Sequence, residues 1–303
     1  MAEGVPVVTQ PNADDDGAWT TLLPELIALL DLTPDGEDRF AAGHSTASVT
    51  TGHVFGGLVA AQAVMAAGRT VPADRAIHSL HGYFLRPGDA AVPLHVEVDR
   101  TRDGRSFSHR RVSAVQDGRV IAEFTCSWAI PRAGIAHQTG APPAPDPETI
   151  RPDHEVLRDL PVGMTRYGTS PDAFDLRTVG LGPGWFESKV PAGEPTLVWK
   201  RAAGAVPDDP LLHAALFTFA SDMRILHPVL RPHGLAMYGV DVRPATIDHA
   251  VWFHRPVRVE DWLLWQCESP WAGDGRGFVR AKVYGTDGTL VAEAAQEGLI
   301  GLG

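Results

Sequence analysis

Residues 245–256 read Ala245-Thr246-Ile247-Asp248-His249-Ala250-Val251-Trp252-Phe253-His254-Arg255-Pro256. β-Branched and aromatic side chains dominate, which suits a buried strand. The same stretch packs in Thr246, Asp248, His249, His254 and Arg255. A strand that only fills a core does not carry so much polarity, because every buried polar group needs a partner. The segment therefore reads as a strand that also serves a site.

Working outward, the pattern has an earlier copy. Residues 78–87 read His78-Ser79-Leu80-His81-Gly82-Tyr83-Phe84-Leu85-Arg86-Pro87, and both copies close on aromatic, variable, Arg, Pro. Asp103-Gly104-Arg105-Ser106-Phe107 then answers Asp274-Gly275-Arg276-Gly277-Phe278. Asp117-Gly118 answers Asp287-Gly288, and Ala122-Glu123 answers Ala292-Glu293. Four matches in one order, all about 170 residues apart, mark a duplicated domain. The expected layout is a first unit over 18–135, a linker over 136–184, and a second unit over 185–303.

Length agrees with two domains, at 303 residues. The net charge of −11, with no basic stripe carrying interleaved aromatics, argues against nucleic acid as a partner. Cys126 and Cys267 are the two cysteines, too few for a disulfide framework, so a reducing cytoplasm is expected. The start, Met1-Ala2-Glu3-Gly4-Val5-Pro6, lacks the basic and apolar regions of a signal peptide. No apolar run approaches the roughly 18 residues of a membrane span, so no membrane role is expected. Residues 1–17, with Asp14-Asp15-Asp16-Gly17, read as a loose acidic tail.

Along the chain, Leu22, Leu23, Leu26, Ile27, Leu29 and Leu30 give 19–32 an apolar helical face, capped by Thr20 or Thr21. A strand over 40–51 follows. Gly56-Gly57 then opens a helix to Gly68 that is apolar nearly all round and so should be buried. Small residues at its start let other backbone come close. Its first amides suit an oxyanion or carbonyl oxygen, which makes Gly56 and Gly57 candidates. Strands are expected over 77–85, 93–102, 105–116 and 119–130, with Asp103-Gly104 and Asp117-Gly118 as hairpin turns. One apolar helix followed by a meander of antiparallel strands is an α+β unit. Residues 131–184 are rich in Pro and Gly with weak periodicity, as linkers are. The second unit repeats the plan, with a strand over 197–201, a helix over 211–226, and strands over 245–254, 258–269, 276–285 and 288–301.

Aligning the repeats isolates three polar groups of the second unit. Thr246 stands where the first unit has Ile77, and Gln296 where it has Cys126. Asp222 lies in a helix whose counterpart has no acid between Leu58 and Gly68. Singly each has an ordinary explanation: a solvated helix-end acid, a strand-forming threonine, a surface glutamine. Together they mark an asymmetry that packing does not require.

The motifs resemble the acyl-CoA thioesterase II (TesB) family. They are Val54-Phe55-Gly56-Gly57, the run from His78 to Gly88, Arg102-Asp103-Gly104-Arg105-Ser106-Phe107, Thr246-Ile247-Asp248-His249, Trp252-Phe253-His254-Arg255-Pro256, Arg276-Gly277-Phe278-Val279-Arg280 and Gln296-Glu297-Gly298. The resemblance runs from about residue 40 to the C-terminus. It implies a double hotdog, two sheets each wrapped around a central helix. It implies hydrolysis of fatty acyl-CoA to fatty acid and CoA by an activated water, with neither cofactor nor metal. Its catalytic Asp, Thr and Gln fall on Asp222, Thr246 and Gln296, the residues the repeats single out. His53 and Met223-Arg224 depart from the family's usual residues. Arg86, Arg255, Arg276 and Arg280 are candidates for the CoA phosphates by residue type alone. A homo-oligomer, dimer or tetramer, is implied by association of hotdog units.

Other classes stay open. An enoyl-CoA hydratase of MaoC type would use an Asp and a His five residues on, the spacing of Asp222 and His227, but Met223-Arg224-Ile225-Leu226 lacks the intervening Asn-Pro. A non-catalytic acyl-CoA-binding protein is the alternative from another class, since fold does not fix function. Gly43-His44-Ser45-Thr46-Ala47 misses the serine-hydrolase pattern at its last position. His154-Glu155 has no histidine completing a zinc-hydrolase motif.

Overall fold

The computed structural model describes residues 22–44, 49–50, 53–160, 172–186, 188–235 and 242–302. The first unit holds α1 (Leu23–Leu30), β1 (Thr33–Pro34), β2 (Arg39–Ala42), β3 (Val49–Thr50), β4 (His53–Val54) and α2 (Gly56–Gly68). Four long strands follow: β5 (Ala76–Phe84), β6 (Leu94–Asp103), β7 (Phe107–Gln116) and β8 (Arg119–Ala129). The stretch after them contains α3 (Asp153–Arg158) and β9 (Phe174–Thr178). The second unit is β10 (Thr196–Ala202), α4 (Pro210–Asp222), α5 (His227–Leu230), β11 (Val242–Thr246) and β12 (Asp248–Phe253). It ends with β13 (Leu263–Gly273), β14 (Arg276–Gly285) and β15 (Leu290–Leu302).

Thirteen of the strands form one antiparallel sheet in the order β1-β2-β6-β7-β8-β5-β12-β15-β14-β13-β10-β9, with β11 also pairing β15, while β3 and β4 pair with each other as a separate ribbon. Each repeat contributes the same local order, and the two are joined where β12 pairs β5, with Val251 opposite Leu80. The sheet curls around α2 and α4. Every residue of α2 from Gly57 to Ala67 is buried, as is every residue of α4 from Leu212 to Asp222. A helix with no polar face is what such enclosure requires.

The two helices lie side by side in opposite directions. Gly56, at the start of α2, meets Asp222 at the end of α4, and Gly68 meets Leu211 at the other end. A Cβ added at Gly57 would lie 2.8 Å from the Phe219 carbonyl oxygen, so only glycine permits this approach.

Some expectations need correction. Residues 136–184 are more than a linker: β9 pairs β10 and extends the sheet at the second unit's edge, with Arg177 opposite Trp199. Its alternating burial, from Phe174 through Leu176 to Thr178, is a strand signature hidden in a Pro- and Gly-rich background. The helix expected over 211–226 stops at Asp222, because Met223 turns to extended backbone and Arg224 takes a φ of +58°. The strand expected over 245–254 breaks at Ile247, where Asp248 accepts a bond from the Glu297 amide. Residues 1–17, Thr20, Thr21 and Ser45 lie outside the described residues.

Candidate active site

Asp222 is the last residue of α4 and is buried. A carboxylate at its own helix's C-terminus sits at the negative pole, which costs stability. Two features offset this. Lys200 on β10, itself buried, donates to the Ala220 carbonyl at 2.8 Å and the Met223 carbonyl at 2.9 Å. The antiparallel α2 turns its positive N-terminal pole toward the same carboxylate. Burial lowers the Lys200 ammonium from 10.5 to about 8.

The strands bring the other two candidates to Asp222. Thr246 Oγ1 donates to Asp222 Oδ1 at 3.3 Å. Gln296 Nε2 donates to the same Oδ1 at 3.0 Å and to Thr246 Oγ1 at 2.8 Å. Gln296 is not a surface residue: it is only 1% exposed. Two donors occupy Oδ1, while Oδ2 points toward Gly56, where a Cβ would lie 3.1 Å away.

Behind this trio stands a group the sequence reading did not assign. The Gln296 Oε1 atom lies 2.6 Å from His249 Nδ1, and His249 Nε2 lies 2.7 Å from Ser221 Oγ. Burial pushes the His249 imidazole below its ordinary 6.5. Period-two alternation in β12 puts His249 on the core face with Val251 and Phe253, and that signal could have found it.

Asp222, Thr246 and Gln296 line a cavity of about 420 Å³. The first unit contributes Val54, Phe55, Gly56, Val59, Phe84 and Ile121, and the second adds Leu226, Ala245, Ile247 and Leu299. His53 and Arg86 also line it. The start of α2 is open: its N-cap, Phe55, makes no side-chain bond to the helix amides. Of the two glycine candidates, Gly56 lines the cavity, whereas Gly57 packs against α4.

Arg276 and Arg280 are placed elsewhere. Arg276 Nη1 pairs with Glu297 at 3.0 Å, Arg280 pairs with Glu268, and neither lines the cavity. Arg255 lines a separate groove with Lys282 and Glu293. His227 lines a small space with Lys200, Cys267 and Arg224, apart from the Asp222 cavity. Burial lowers its imidazole to about 3. The Asp222–His227 pairing that a hydratase would need therefore shares no cavity. Among the described residues, no three of His, Cys, Asp and Glu converge as a metal site. Nor is any helix among them long and apolar enough to cross a membrane.

The sheet wrapped around two paired helices defines a double hotdog, and the relatives it matches make it a thioester hydrolase. A family model described as acyl-CoA thioesterase matches residues 182–299, and one described as the acyl-CoA thioesterase N-terminal domain matches 45–129. Acyl-coenzyme A thioesterase 8 of Mus musculus is 36% identical, over 91% of this chain and 88% of its own. Acyl-CoA thioesterase 2 of Haemophilus influenzae is 36% identical, over 82% of this chain and 87% of its own. The crystal structure of the acyl-CoA thioesterase II TesB2 from Mycobacterium marinum superposes with a TM-score of 0.75 at 35% identity, covering 92% of this chain and 97% of that one. The chain belongs to the acyl-CoA thioesterase II (TesB) family.

Proposed function

We propose that Asp222, Thr246 and Gln296 activate a water molecule that hydrolyses fatty acyl-CoA to a free fatty acid and CoA. One observation carries the assignment. Thr246 and Gln296 both hold Asp222 Oδ1, leaving Oδ2 turned to the cavity beside Gly56. A thioester carbonyl is reactive, but water is a weak nucleophile and gains from a positioned base, by roughly 10²–10⁴ in rate. The water oxygen bonds the carbonyl carbon as its proton passes to Asp222 Oδ2. The C–S bond then breaks, and the proton follows the departing thiolate. The developing oxyanion takes the uncapped amide end of α2 at Gly56, with no covalent enzyme intermediate.

The apolar lining takes the acyl chain. Arg86, at the cavity and without a carboxylate partner among the described residues, suits the CoA phosphates better than Arg276 or Arg280. A reducing cytoplasm is supported by Cys126 and Cys267 both being free thiols. A dimer or tetramer is supported by exposed Tyr83 and Trp252 on the neighbouring central strands β5 and β12. Light scattering tests that assembly.

The deciding assay follows thiol release from short, medium and long acyl-CoAs with a chromogenic disulfide. Wild type should release thiol, and Asp222→Asn should lose about 10²-fold or more in kcat. Binding of acyl-CoA without release would replace the hydrolase with a non-catalytic acyl-CoA-binding protein. Near-wild-type turnover by Asp222→Asn would remove it from the mechanism.

A further inference from the structure

We infer that Ser221 and His249 are positioning residues that hold the Gln296 amide with its NH₂ end toward Asp222 and Thr246. The inference rests on the reading of Asp222, Thr246 and Gln296 as the catalytic set.

The two ends of a glutamine amide are nearly equal in shape and opposite in hydrogen bonding. Which end faces Asp222 therefore decides whether the carboxylate gains a donor or meets another acceptor. Gln296 Nε2 lies 3.0 Å from Asp222 Oδ1 and 2.8 Å from Thr246 Oγ1, so its two protons serve these two oxygens. Its Oε1 must then accept from His249 Nδ1, at 2.6 Å.

That bond requires one tautomer. His249 is 1% exposed, and burial favours its neutral, singly protonated ring. With the proton on Nδ1, Nε2 accepts from the Ser221 hydroxyl at 2.7 Å. The alternatives fail on geometry. Ser221 Oγ also lies 2.7 Å from the Thr218 carbonyl. If its proton went there, Nε2 would have to carry the ring proton, and Nδ1 would face Oε1 as a second acceptor. Turning the amide over removes that conflict but sets Oε1 against Asp222 Oδ1. In the chain Ser221 to His249 to Gln296 to Asp222 the single Ser221 proton is shared between His249 Nε2 and the Thr218 carbonyl. The contacts from His249 to Gln296 and from Gln296 to Asp222 each have one donor and one acceptor; turning the amide over instead sets an acceptor against the Asp222 carboxylate. A buried acceptor facing a carboxylate leaves bonding unmade on both groups, which fixes the orientation of the amide.

The placement serves this purpose. Ser221 precedes Asp222 on α4, and His249 follows Thr246 by three residues, across the Ile247 break. The relay thus ties the helix carrying the acid to the strands carrying the hydroxyl and the amide. It touches neither cavity nor substrate: Ser221 and His249 are absent from the cavity wall.

The test compares His249→Leu with His249→Asn in the thiol-release assay, beside thermal midpoints. Leucine fills the space and cannot donate. Asparagine can place an N–H near the Nδ1 position. Outer partners of catalytic groups are commonly worth about 10–100-fold, so His249→Leu should lose that much kcat with KM within about twofold. His249→Asn should recover about tenfold of the loss without being the more stable protein. Wild-type kcat in His249→Leu overturns the inference. So does a folded His249→Asn no more active than His249→Leu. Should His249→Leu not fold, the asparagine variant decides alone: activity near wild type supports the relay, and activity as low as Gln296→Ala overturns it. Asp222→Asn run alongside separates the two failures. A fully active Asp222→Asn removes the catalytic reading itself, whereas an inactive one beside a fully active His249→Leu removes only the relay.

Discussion

The two halves of this chain share a scaffold and differ at matching points. In the first unit the last strand carries Cys126 opposite Arg110, and in the second it carries Gln296 opposite Val279. Arg110 is fully buried and braces the end of α2 at one remove: it donates to the Thr70 carbonyl at 2.9 Å and to Thr70 Oγ1 at 2.7 Å, and Thr70 Oγ1 in turn donates to the Ala67 carbonyl of the helix, while Arg110 also pairs with Asp103. In the second unit Lys200 caps the end of α4, and the space beside it holds Asp222 and Gln296. The helix starts differ in the reverse sense. Asp209 caps α4 by accepting from the Leu211 amide at 2.9 Å, whereas α2 has no side-chain cap and opens at the cavity. One copy thus offers an open helix start and the other an acid at a helix end. The antiparallel packing sets them face to face, so neither unit alone carries the whole site.

The comparison breaks most sharply at Gln296 and Thr246. Gln296→Ala and Thr246→Ala should each lose about 10²–10³ in kcat, while Cys126→Ala in the matching position should change it by no more than about twofold. Because the groups act as a unit, the double variant should fall little below the worse single one. Equal losses at Cys126 and Gln296, measured by thiol release, would mean that the first unit is catalytic as well. Gly56→Ala should cost less, about tenfold in kcat, since its methyl would stand 3.1 Å from Asp222 Oδ2 and 3.0 Å from the Phe84 ring. An unchanged kcat there would place the reacting carbonyl away from the start of α2.

Much of this contrast could be read before any coordinates. The Arg-Pro, Asp-Gly and Ala-Glu matches carry the duplication because turn residues and strand ends are fixed by local chemistry. Polar substitutions in one copy pointed to Asp222, Thr246 and Gln296 for the same reason. What stayed hidden depends on contacts between segments distant in sequence. Lys200 looks like a surface lysine until β10 lays it under the end of α4. Arg276 and Arg280 look like phosphate ligands until their partners Glu297 and Glu268 appear across the strands. β9 was masked by its glycine- and proline-rich surroundings, although Asp153 of α3 holds the Thr178 amide at 2.6 Å and binds Arg224 at 2.9 Å. Those partners lie far apart in the chain, and no periodicity announces them.

The smallest effect concerns the two cations at the helix ends. An arginine side chain holds its charge at any accessible pH, whereas a buried lysine need not. Burial sets its folded value at about 8 against 10.5 for a free lysine. Below pH 8 both folded and unfolded chains hold the proton, and the native state bears the full cost of a buried ammonium. Between pH 8 and 10.5 the unfolded chain holds more protons than the native one, so this group's contribution to stability rises with pH. The whole window is worth at most about 3 kcal/mol. Lys200→Met has no such titration and also leaves the Ala220 and Met223 carbonyls without their side-chain donor. The thermal midpoint of wild type minus that of Lys200→Met should therefore grow from pH 7 to pH 10, whatever its value at pH 7. Arg110→Met, compared in the same way, should give a difference that stays flat over this window. A flat difference for Lys200 as well would mean that its ammonium is not desolvated at the end of α4, and the two cations would then be equivalent.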